Sequence, residues 1–201
     1  LKNFLKKERN VNEKILMSLL KESFLSSRDK QGNNALMLAV FYREMKWVKL
    51  FVEKDIALRS TNKNGNTALM IATLYENYEA SKYLMEKMRI SEIESVNNEG
   101  DTGLIIAARK GNQALMQLFL EAGADIKVRD KNQLSLPEIL KKHGHEPLVN
   151  FLNEQRKLIK YARFEENKKL REEVKDLKEQ VRLLEFECSS DNKPFKYNKN
   201  K

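Results

Sequence analysis

GDTGLIIAARKGNQALMQLFLEAGADI, residues 100–126, is the stretch whose reading decides the fold. Leu104, Ile105, Ala107 and Ala108 recur at the spacing of one helix face. Gly111 follows them, a residue free to take the left-handed backbone that stops a helix. A second apolar run, Leu115, Met116, Leu118, Phe119 and Leu120, has the same period and ends at Gly123. Two short antiparallel helices joined by a tight turn are therefore predicted, with GADI turning the chain outward.

The same unit recurs upstream, as GNTALMIATLYENYEASKYLMEKM from Gly65 and GNNALMLAVFYREMKWVKLFVEKD from Gly32. Gly32 and Gly65 are 33 residues apart and Gly65 and Gly100 are 35 apart, the two extra residues falling in RISEIESV after Met88. A leucine follows each glycine by four residues (Leu36, Leu69, Leu104) and an alanine by seven (Ala39, Ala72, Ala107). With NTALMIA at 66–72 and DTGLIIA at 101–107, this period resembles the ankyrin repeat, a β-turn and two helices carrying a TPLHxA signature. Ala68 and Gly103 stand where that family has proline, and Met70 and Ile105 where it has histidine.

The resemblance implies an all-α ankyrin-type solenoid of three clear repeats between degenerate caps, with one elongated core. It also places Thr67 and Thr102 as helix caps, and Asn34 can accept an amide hydrogen in the same way. Repeat one is expected to bury Leu36, Leu38, Ala39, Val48, Leu50 and Phe51, and repeat two Leu69, Ile71, Ala72, Tyr83 and Leu84. Where repeat three has Gly111, the first two have Arg43 and Glu76, so their turns carry a steric penalty; Asn77 is better suited than Arg43 to left-handed backbone.

Four segments follow. Residues 1–27 lack the signature but carry an Ile15, Leu16, Leu19, Leu20 stripe and read as an N-terminal capping helix; the solenoid occupies 28–153. Its last unit is degenerate, with Gln133 for glycine and SLPEIL at 135–140, and closes as a cap. Residues 154–188 lack helix breakers and read as a long helix, and the polar, lysine-rich stretch 189–201 as a disordered basic tail.

The long helix carries a heptad with Asn167, Val174, Val181 and Cys188 at a, and Leu170, Leu177 and Leu184 at d. Glu166 and Glu173 at g face Arg171 and Lys178 at e of a parallel copy, which points to a homodimer whose Cys188 thiols could bridge under oxidation. Three heptads are a marginal length, and a helix docked on its own solenoid or projecting alone stays open.

Function is read by exclusion and then by surface. There is no Gly-rich phosphate loop, no nucleophile with a paired base and no acidic cluster for a metal, so neither enzyme activity nor a cofactor is expected. His143 and His145 lack further ligands for a metal site. The resemblance places Phe41, Tyr42, Leu74 and Tyr75, with Arg109 and Lys110 in repeat three, along the concave groove. It makes the turn-tip residues Lys30, Asn33, Lys63, Asn66, Asn98 and Asp101 candidate contacts, joined by Gln31, Asn64 and Glu99. Aromatic side chains repeated in neighbouring units suit a protein partner.

A net charge of +9 and a pI near 9.4 raise nucleic-acid binding as the alternative. The lysines are interleaved with glutamates rather than gathered in a stripe, which disfavours it. No apolar run reaches the ~20 residues of a membrane span. A single cysteine is compatible with the cytoplasm, and a first residue that is leucine points to a processed or excised chain.

Overall fold

The computed structural model describes residues 27–53 and 58–190, with side chains up to 182. The expected N-terminal capping helix, Ser27 apart, and the expected basic tail from 191 onward lie outside the described residues. The chain divides into two compact units, Leu1–Leu152 and Asn153–Lys201.

The first unit is built from helix pairs: α1 (Ala35–Phe41) with α2 (Met45–Glu53), α3 (Ala68–Leu74) with α4 (Tyr78–Lys87), and α6 (Gly103–Lys110) with α7 (Gln113–Glu121). The RISEIESV insertion folds as a short helix, α5 (Ile90–Ile93). A fourth inner helix, α8 (Leu136–Lys142), precedes α9 (Leu148–Ser190). α1, α3, α6 and α8 stack as one layer and α2, α4 and α7 as another. Among the described residues there is no strand, only an isolated bridge between Arg129 and Ser135.

Each inner helix of the three clear repeats starts on a side-chain oxygen that satisfies an orphan amide. Asn34 accepts from Met37 N at 2.9 Å, Thr67 from Met70 N at 3.3 Å and Thr102 from Ile105 N at 3.3 Å. Ala39, Ala72 and Ala107 are completely buried, which lets successive helices approach across the seams. Leu36, Leu69 and Leu104 fill the interior with Phe51 and Phe119. Tyr83, expected in the core, is instead half-buried, with the Lys49 and Lys87 ammonium groups each 5.9 Å from its ring centre. Partial burial, followed by the Glu53 and Glu86 charges, pushes its phenol pKa up.

The turn between paired helices needs one left-handed residue, and it falls on Arg43 (φ 58°), Glu76 (φ 51°) and Gly111 (φ 65°). Asn77 does not take that geometry. It stays at φ −86° because its side chain is engaged, capping α4 at Ala80 N and donating to Val40 O at 3.0 Å. The turn therefore holds a glutamate in a conformation disfavoured for any residue with a Cβ by about 1 kcal/mol or more. Glu76→Gly should raise the thermal midpoint, a gain of about 0.5 kcal/mol once glycine's greater unfolded-state freedom and the lost Asn112 contact at 3.2 Å are set against the relief. A lower midpoint would show that the Asn112 contact outweighs the backbone.

The second unit consists, among the described residues, of the continuation of α9. The helix is 43 residues long from Leu148 and ends at Ser190. Every side chain from Lys160 to Arg182 is exposed.

Candidate protein-binding groove

The β-turns that open the units are set by one device repeated four times. Asp29, Asn62, Asn97 and Asp130 each accept two backbone amides on Oδ1, from the residues two and four positions on, at 2.8 to 3.0 Å. Neighbouring turns are then tied edge to edge. Lys63 N donates to Gln31 O and Asn98 N to Asn64 O, both at 3.0 Å. The amides pair as well: Asn62 Nδ2 donates to Asn33 Oδ1 at 2.8 Å and Asn97 Nδ2 to Asn66 Oδ1 at 2.9 Å.

At the third seam the corresponding positions are both acidic, Asp101 and Asp130, and two carboxylates cannot pair as amides do. Arg109 resolves the conflict. Its Nη2 donates to Asp101 Oδ1 at 2.9 Å and to Asp130 Oδ2 at 3.1 Å. Burial pushes the Asp130 carboxyl up, but the amides of Leu134 and Asn132 and the Arg109 charge outweigh it and leave its pKa below the usual range. Arg109 Nη1 also lies 3.3 Å from His143 Nε2, and its carbonyl 3.1 Å from His145 Nε2. The two histidines thus serve the third seam.

Above this scaffold, Phe41 meets Tyr42 edge to face at 5.0 Å and Tyr75 of the next repeat at 4.5 Å. Phe41 is 38% exposed and Tyr75 50%, whereas Tyr42 and Leu74 are half-buried. Tyr42 is thus less open than Tyr75, and Phe41 more open than Leu74. A cleft lined by Phe41, Tyr42, Leu74 and Tyr75 adjoins a second containing Asn98, Lys110 and His143. Both are bounded by Asn64, Asn66 and Leu74, so one groove crosses repeats one to three.

The remaining expected contacts separate by burial. Lys30, Lys63, Asn98 and Lys110 are exposed, and Asn33 is half-buried between Asp29 and Asn62. Asn66 and Asp101 are each 6% exposed, and their side-chain oxygens face partners in the adjoining turn or on Arg109. Arg109 likewise faces inward more than an open groove residue would. The recurrence of Asp29, Asn62, Asn97 and Asp130 at intervals of 33, 35 and 33 residues was the available signal for this network.

Among the described residues no three His, Cys, Asp or Glu side chains are grouped so as to hold a metal ion, and no helix is long and apolar enough to cross a membrane.

Helix hairpins stacked through capped turns define a helical repeat protein. A family model described as ankyrin repeats (3 copies) matches residues 7–94 and 48–130, together more than half of the chain, and the chain belongs to the ankyrin-repeat family. The match reaches back into the stretch read from sequence as a capping helix. No curated protein matches the chain. Ankyrin repeats are generally protein–protein interaction modules.

Proposed function

We propose that the chain is a non-catalytic binding module that holds a partner protein in the groove across repeats one to three, with Phe41 and Tyr75 as anchors. The observation that carries this reading is the aromatic cluster formed by Phe41, Tyr42 and Tyr75 across two repeats, its outer rings open to solvent. Rigid aromatic side chains give large contact area at low entropic cost, which is why they dominate interface energetics. Lys30, Lys63, Asn98 and Lys110 provide a polar rim whose side chains are accessible. Asn66, Asp101 and Arg109 act on the groove by holding its turns in place.

Affinity capture with the intact chain beside a Phe41→Ala/Tyr75→Ala variant tests the reading. Proteins retained by the intact chain should bind the variant about a hundredfold more weakly, the effect of losing two hot-spot rings. Thermal midpoints should stay close, because both rings lie at the surface. Equal retention by a folded variant would place recognition elsewhere.

A further inference from the structure

We infer that the distal part of α9 pairs with the same helix of a second copy of this chain as a parallel two-stranded coiled coil. Leu170, Val174, Leu177 and Val181 are 48 to 59% exposed and alternate four and three residues apart, so they form one apolar stripe. An apolar stripe left half in water is unfavourable, and its spacing of 3.5 residues is the repeat that keeps one seam facing a partner helix through a left-handed supercoil. Lys160 and Arg163 occupy the preceding a and d positions and end the seam on that side. Leu184 and Cys188 continue the heptad in sequence, within α9 but beyond the described side chains.

The identity of the seam residues selects the number of strands. Valine at a with leucine at d packs best in a parallel dimer, and the polar Asn167 at a pairs with itself only when the two helices are in register.

The flanking charges select the direction. In a parallel pair, Glu166 and Glu173 at g lie beside Arg171 and Lys178 at e of the other copy, and both contacts are attractive. In an antiparallel pair g faces g and e faces e, which sets glutamate against glutamate and arginine against lysine. Glu173 already reaches Lys169 of its own helix at 3.8 Å, a loose contact that leaves the carboxylate free to turn. Two copies joined this way present two solenoids to a partner, so bivalent attachment becomes available. The pairing stands on α9 alone and does not depend on the groove.

Sedimentation equilibrium of the full chain, up to several hundred micromolar, tests the inference. A monomer–dimer equilibrium is expected, and a monomer throughout would overturn it. Leu170→Lys/Leu177→Lys should weaken the dimer roughly a hundredfold, by placing four charges in the seam. Because both leucines are exposed in the single chain, the variant keeps its helical signal. A dimer that survives this change lies elsewhere and overturns the proposal. Direction is read at Cys188, where diamide takes two electrons and two protons from two thiols to form one disulfide. A covalent dimer in the intact chain, absent from Cys188→Ser, supports parallel helices. A non-covalent dimer that resists this crosslink refutes the parallel arrangement.

Discussion

Arg109→Ala should remove roughly 3 kcal/mol from the stability of the solenoid, measured by denaturant unfolding near neutral pH. Its Nη2 bridges the Asp101 and Asp130 carboxylates, whose own side chains are 9% and 0% exposed. Without it, two buried negative charges face one another at a seam where the preceding repeats place a neutral amide pair. Asp130→Asn in the Arg109→Ala background rebuilds an amide at that position, keeps the Oδ1 acceptor for Asn132 N and Leu134 N, and should recover at least half of the loss. If the second change fails to rescue, or worsens the first, the account of this seam is wrong.

The same site fixes a pH dependence. The folded-state pKa of Asp130 is depressed, so its contribution is fully present above the ordinary carboxylate range, and it is lost as pH falls through the depressed value. The difference between wild type and Arg109→Ala should therefore shrink as pH falls through the ordinary carboxylate range, because the Arg109 charge no longer helps to hold Asp130 ionised in the variant. A difference that stays constant down to pH 2 would argue that Arg109 acts through packing alone.

Phe119→Ala should cost about 3 to 5 kcal/mol, since the ring is completely buried between α6 and α7. The ring also explains Gly103. A Cβ at Gly103 would run into the edge of the Phe119 ring, so Gly103→Ala should cost about 1 to 3 kcal/mol despite the better helix propensity of alanine. The two positions are one packing unit. In a double-mutant cycle, Gly103→Ala combined with Phe119→Leu should be at least ~1 kcal/mol less destabilising than the sum of its parts, because the shorter side chain leaves space for the methyl group. Additive losses would mean that the backbone of α6, and not the ring, rejects the alanine.

The helix hairpins were legible in the sequence because their determinants are local. Glycine, threonine and the apolar spacing sit within a dozen residues of one another, and Thr67, Thr102 and Asn34 cap where the pattern places them. Burial of the polar turn residues was not legible, because it depends on partners about thirty residues away. Asn66 and Asp101 look like exposed turn tips until the adjoining turn is stacked on them. Arg109 follows two alanines at the end of a helix and reads as a groove cation, and only the meeting of Asp101 with Asp130 shows its task. The left-handed residue fell on Glu76 instead of Asn77 because asparagine has the more demanding role, capping the next helix and bonding the previous repeat.

The side-chain pairs that tie the turns differ in kind along the stack. The first two joints are latched by uncharged amides, which are indifferent to protons, whereas the last is clasped by ions. Acidification should therefore bear on the side-chain clasp before α8 more directly than on the two amide latches that precede it.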